Sequence, residues 1–237
     1  RIFPPMRRLL FLSLTLNALV LIAAVWGVIA GPRLVRNLVH ELIIDVRHDQ
    51  KASMFRETPV RPGAIVFLGN SLTEGGNWQE LFPDHEVLNR GIGGDVATGV
   101  LARMDEVIRH QPSILFLCIG TNDLAAGVDR AAIVATVGEI LDVLHTESPD
   151  TEVIVQSVPP VAPNVVFGHA LDPILALNDD LRALCDARGL TYLDLHPILA
   201  GDDGHLRPDL TNDGLHLLGP AYLLWADGVR PFIDTVP

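Results

Sequence analysis

The sequence is poor in cysteine, poor in basic charge beyond its first quarter, and free of internal repeats and low-complexity stretches. Its two cysteines are Cys118, in an apolar run, and Cys185, in a helical pattern; they form no Cys-x-x-Cys spacing. That spacing argues against a zinc site or a dithiol redox motif, and both residues read as small buried hydrophobes. Residues 63–237 hold 8 Lys+Arg against 25 Asp+Glu, a balance of −17. A phosphate backbone is gripped by Lys and Arg, so nucleic acid is not an expected partner.

Residues 1–62 are the opposite, with 9 Lys+Arg against 4 Asp+Glu. Within them Leu9–Ala30 carries no charged residue, and its polar members are Ser13, Thr15 and Asn17. Twenty-two residues at helical rise reach about 33 Å, enough for a bilayer core of about 30 Å. The chain begins at Arg1; Met6 followed by Arg7 and Arg8 reads as a natural start, with residues 1–5 as upstream read-through. Residues 1–8 thus form a basic segment and 9–31 a transmembrane anchor. The stretch is longer than a signal-peptide core, which favours an anchor over cleavage after Ala30. Arg7 and Arg8 keep the N-terminus inside, so the domain is expected outside the cytoplasm, on a single-pass membrane protein. Residues 32–62 read as an amphipathic juxtamembrane helix and linker, with Val35, Leu38, Val39, Leu42 and Val46 at helical spacing and Pro59 and Pro62 ending it.

Residues 63–237 alternate strand and helix. Strand candidates are Ala64–Leu68, Glu86–Leu88, Ile114–Ile119, Glu152–Gln156 and Thr191–Leu193. Helical spacing marks Val96–His110, Arg130–His145, a helix from Asp172 to Ala187, and a last helix opening at Gly219 and Pro220. The alternation predicts an α/β domain with a parallel sheet covered on both faces.

In such a sheet, active groups collect where strands end. After the first strand comes Gly69-Asn70-Ser71-Leu72-Thr73, and after the second Asn89-Arg90-Gly91-Ile92-Gly93-Gly94-Asp95. The third leads into Gly120-Thr121-Asn122-Asp123, and a loop after the fifth into Asp213-Gly214-Leu215-His216. Each cluster alone has a plain explanation: Ser71 a helix cap, the glycines a tight turn, Asn122 a turn residue, His216 a packed histidine. The glycines miss the dinucleotide-binding spacing, because Val96 occupies its last position. Together and in this order, the clusters resemble the SGNH hydrolases, or GDSL-type esterases and lipases, over roughly Pro59–Phe232. Asn89–Asp95 and Gly120–Asp123 are the most specific matches, and the chain looks most similar to small acylhydrolases of the platelet-activating-factor acetylhydrolase type.

The resemblance implies a flavodoxin-like three-layer sandwich with five parallel strands and a cofactor-free, metal-free site acting on a small ester. It implies Ser71 as nucleophile, His216 as base and then acid, and Asp213 as the group that orients the imidazole. It implies an oxyanion hole made of the Ser71 and Gly91 backbone N–H groups and the Asn122 amide. One position departs from the family pattern: Asn70 stands where Asp is usual, keeping an acceptor but losing a charge beside the nucleophile. Three functions stay open on this sequence: hydrolysis of short acyl or acetyl esters, acyl transfer onto an envelope glycan, and a membrane-tethered binding module with an inactive site. Oligomeric state is open. His85, His110 and His145 read as solvated histidines at element ends, His169 and His205 as loop residues that could border the pocket, and Trp78 as core before rim. Pro159–Leu171 is the largest candidate wall of the site.

Overall fold

The computed structural model describes residues 45–163, 165 and 170–235. The expected anchor at 9–31, the first part of the juxtamembrane helix and His169 lie outside the described residues. Among the described residues, no helix is long and apolar enough to cross a membrane.

Five strands form one parallel sheet: β1 Ile65–Gly69, β2 Val87–Gly91, β3 Ile114–Cys118, β4 Glu152–Gln156 and β5 Thr191–Leu193. Their spatial order is β2-β1-β3-β4-β5, the flavodoxin-like order. Helices α1 Asp45–Glu57, α2 Ser71–Glu74, α3 Trp78–Leu81, α4 Ala97–Ala102, α5 Met104–Ile108, α6 Thr121–Ala125, α7 Arg130–Glu147, α8 Leu171–Arg188, α9 His196–Leu199 and α10 Gly219–Ile233 follow the chain around it. The chain reverses direction across the sheet between β1 and β3, and at such a switch point the loops part to leave a crevice.

The apolar runs of β1 and β3 are buried throughout because helices cover both faces. Val66, Leu68, Leu115, Leu117 and Val155 pack one way, against Ile133, Val137 and Ile140 of α7 and Ile174, Leu177 and Leu181 of α8. Ile65, Phe67, Ile114, Phe116 and Ile154 pack the other way, against Trp225, Val229 and Ile233 of α10. Trp78 belongs to this second layer, its ring stacked 4.0 Å from that of Phe67.

Three elements differ from expectation. β2 runs on through Asn89, Arg90 and Gly91, which pair with Phe67, Leu68 and Gly69; the polar letters read as loop, but the ladder continues. The helix expected over Val96–His110 is two helices broken at Arg103, whose φ of −119° and ψ of 20° leave the helical region. α8 begins at Leu171 without the side-chain cap expected from Asp172. The compact unit starts at His48. From that residue on, α1 packs within it through Ala52 and Phe55 against Ile92, in a stretch expected to be juxtamembrane.

Candidate active site

Ser71 opens α2 directly after β1. Asn70 caps the helix, its Oδ1 accepting from the Leu72 N–H at 3.0 Å, so the acceptor that an Asp would supply is retained. The carbonyls of α2 are held from three sides. The Tyr222 hydroxyl donates to Leu72 O at 2.9 Å, and Trp78 Nε1 donates to Thr73 O at 2.8 Å. The Asn89 amide donates to Thr73, Glu74 and Gly76 carbonyls at 3.1, 3.0 and 2.9 Å. In the sequence Tyr222 carries no signal of this role, Trp78 reads as core, and Asn89 is marked only as the first residue of the Asn89–Asp95 motif.

His216 Nε2 lies 3.1 Å from Ser71 Oγ, and His216 Nδ1 lies 2.6 Å from Asp213 Oδ2. A neutral imidazole has one donor and one acceptor nitrogen. With Nδ1–H donating to the carboxylate, Nε2 is left to accept the serine proton. Asp213 Oδ1 accepts from the N–H groups of Leu215 and His216 at 2.9 and 2.8 Å, which locks the carboxylate's orientation. Burial alone would raise the Asp213 carboxyl, but the hydrogen bonds from His216 and from those two backbone groups outweigh it and hold the group down at about 2. Gly214, with φ of +86°, turns the chain between acid and base. A Cβ there would also stand 3.1 Å from Val165 Cα.

Asn122 lies in the first turn of α6, and its Nδ2 donates to Asp95 O at 2.8 Å. One amide hydrogen is thereby spent in orienting the group, leaving the second as a donor. Its neighbour Asp123 is buried and accepts twice from the Ala97 N–H, at 3.0 and 3.2 Å. Burial pushes the Asp123 carboxyl up, against that hydrogen bond. The pair Asn122–Asp123 therefore clamps both ends of the segment Asp95–Ala97.

Gly91 does not fill the role expected of it. Its N–H donates to Asn89 Oδ1 at 2.9 Å and is not available to an oxyanion. Glycine is needed there for another reason: a Cβ would stand 2.2 Å from Glu74 N, where β2 passes against the nucleophile helix. The N–H groups in this loop that donate to no described group are those of Gly93 and Gly94. A Cβ at Gly93 would lie 4.0 Å from Ser71 Cβ, so the loop passes beside Ser71 at Gly93. Ser71's own N–H, at the first turn of α2, is likewise unspent.

His110 also differs from expectation. It is fully buried, its Nδ1 accepting from the Arg61 N–H at 2.9 Å and its Nε2 3.2 Å from Arg90 Nη2. Burial, and then the charges of Arg90 and Arg109, lower it to about 4. His145 is exposed on α7. Cys118 and Cys185 are buried free thiols, pushed by burial up to about 12 and about 11.

Residues 67–222 match the GDSL-like Lipase/Acylhydrolase family. The chain is 27% identical over 169 residues to platelet-activating factor acetylhydrolase IB subunit alpha2 of Gallus gallus, covering 67% of this chain and 70% of the relative. It is 27% identical over 164 residues to the human alpha1 subunit, covering 65% and 68%. The fold is similar to that of a GDSL-like lipase from Bacteroides thetaiotaomicron, with a TM-score of 0.70 and 23% identity over 80% of this chain and 98% of that one. A lipase/acylhydrolase from Enterococcus faecalis has a TM-score of 0.63 at 21% identity, over 74% and 96%. The chain belongs to the GDSL-like lipase/acylhydrolase family and is an ester hydrolase.

Proposed function

We propose that the chain cleaves short-chain acyl esters, acetyl esters first among them, through an acyl-enzyme on Ser71. The observation that carries this reading is the unbroken relay from Ser71 Oγ to His216 to Asp213, at 3.1 and 2.6 Å. Ser71 Oγ attacks the ester carbonyl while His216 Nε2 takes its proton, and Asp213 stabilises the imidazolium that forms. The negative charge on the former carbonyl oxygen is met by the Ser71 N–H, the Asn122 amide and an N–H from Gly93 or Gly94. His216 then protonates the departing alcohol, and water repeats the sequence in reverse to free Ser71.

Two features support a short acyl group. The side chains of Asp213 and His216 keep 32% and 44% of their surface in solvent, which supports an open site; residues 164 and 166–169 of the candidate wall lie outside the described residues. The relatives named acetylhydrolases carry the acetyl preference in their name. An open site also gives water free access to the acyl-enzyme, which favours hydrolysis over transfer to a sugar hydroxyl.

The test is a panel of p-nitrophenyl esters from acetyl to dodecanoyl, run on the parent and Ser71→Ala. Turnover highest at acetyl and lost in the variant is expected, together with fluorophosphonate labelling of the parent alone. A preference for long chains would replace the short-acyl reading, and near-parental turnover in Ser71→Ala would end the assignment of the nucleophile.

The apolar stretch 9–31 supports a second part of the reading: a single-pass membrane anchor with the hydrolase domain outside the cytoplasm, acting on envelope or extracellular esters. Full-length protein should stay with membranes through carbonate extraction, and a C-terminal reporter should be active in its exported form. Extraction by carbonate, or a cytoplasmic reporter signal, would overturn the anchor or the orientation respectively.

A further inference from the structure

Ser71 comes from the end of β1, the glycine loop from the end of β2 and Asn122 from the end of β3. Their relative placement within a few tenths of an ångström decides whether the oxyanion donors converge. We propose that Arg103 is the positioning residue that sets this placement, an inference that rests on the hydrolase reading above.

Arg103 leaves only 2% of its surface exposed. Its Nη2 donates to Gly69 O at 3.2 Å and to Arg90 O at 2.8 Å. Gly69 O is the last carbonyl of β1, two residues before the nucleophile; Arg90 O lies one residue before Gly91 at the end of β2. Its Nε donates to Asp95 Oδ2 at 2.9 Å, and Asp95 O is the acceptor that orients the Asn122 amide at 2.8 Å. The fourth direction is taken by Glu106 Oε1, 3.4 Å from Nη1. A single planar group thus ties together the turn before the nucleophile, the start of the glycine loop and, at one remove, the oxyanion amide.

Stability alone does not call for this arrangement. Taking a guanidinium out of water is expensive, and well-packed apolar side chains often serve a core as well or better. The helix between Val96 and His110 is also interrupted at this residue, a local cost that lets the side chain turn inward. Arginine is required by geometry: its five N–H donors lie in one plane, whereas a lysine offers three on a single nitrogen.

The experiment uses the full-length chain. Arg103→Lys keeps the charge but cannot span three acceptors. Turnover of p-nitrophenyl acetate is measured per mole of serine titrated to completion with a fluorophosphonate, alongside KM and the thermal midpoint. The expected result is a fall in kcat of about 10²-fold with KM within about threefold, because the loss falls on the transition state. Asn122→Ala added to Arg103→Lys should cost less than it does in the parent, since both act on the same amide. An unchanged kcat per titrated serine, or losses that multiply in full, would overturn the inference. Should Arg103→Lys yield no folded protein, Asp95→Asn carries the test: it breaks the guanidinium–carboxylate pair and leaves the Asp95 carbonyl in place. A drop in kcat at steady KM supports the inference there, and parental kcat overturns it. A parent chain that the fluorophosphonate leaves unlabelled would overturn the hydrolase reading itself.

Discussion

Asp213 and His216 keep 32% and 44% of their side chains in solvent, while Asp95, Arg103 and Glu106, behind the glycine loop, keep 1%, 2% and none. Both groups are charged networks on the same edge of the same sheet. On the proposed mechanism the first moves protons to and from a substrate and must be reached by alcohol and water. The second moves nothing and holds carbonyls in place, which it does best where water cannot compete for its hydrogen bonds. On the two proposals above, reactivity and placement are separated in space: chemistry is done at the rim, and geometry is set inside.

That division can be broken from the rim inward. The largest effect is expected from Asp213→Asn, about a 10⁴-fold fall in kcat. Asp213 Oδ1 is committed to two backbone N–H groups, so the new amide nitrogen must face His216 Nδ1. This forces the imidazole proton onto Nε2, where it can no longer accept from Ser71. A fall of less than tenfold would show that the carboxylate does not set the tautomer. Asn122→Ala should cost about 10²–10³ in kcat with KM little changed, as for one lost oxyanion donor. A raised KM at constant kcat would make Asn122 a ground-state contact instead.

Asn70→Asp should stay within about tenfold of the parent, because Oδ1 already caps Leu72 and an aspartate does the same. A hundredfold gain would identify the chain as a weakened relative. The smallest effect concerns stability. His110 is held at about 4, below its ordinary 6.5, so the unfolded chain binds the proton more readily. The contribution of His110 to stability is therefore full above about pH 6.5 and declines as pH falls toward 4, by at most about 1.4 kcal/mol per pH unit. His110→Gln, which keeps an acceptor for the Arg61 N–H, should flatten that slope in urea titrations; an unchanged slope would place the titration elsewhere.

The sheet was legible because burial on both faces leaves continuous apolar runs, plainest in Ile65–Gly69 and Ile114–Cys118. The edge carrying the chemistry followed from reading what comes after each run. β2 was only half legible: Arg90 looks like loop, and its place in the ladder depends on Glu106, 16 residues away, neutralising it at 3.0 Å. Gly91 was misread because glycine has two uses that look alike in sequence, a free N–H or a missing Cβ. Its hydrogen bond to Asn89 and its contact with α2 decide for the second. The break at Arg103 and the burial of His110 were illegible for a shared reason. Helical spacing records which positions are apolar, and both residues are interior while being polar. Asn122 is marked in the sequence by its place after β3, but its orientation by Asp95 is not legible there, since that bond joins residues 27 apart.

Ser71 and His216 are separated by 145 residues. The turn at Ser71, the glycine loop and Asn122 are all encoded before Gly127, whereas Asp213 and His216 follow more than 80 residues later. On the proposed mechanism, a ribosome making this protein releases the half that polarises a carbonyl before the half that activates the serine. On the proposed mechanism the growing polypeptide stays chemically silent until the segment carrying Asp213 and His216 docks, and that docking is the moment at which the serine is switched on.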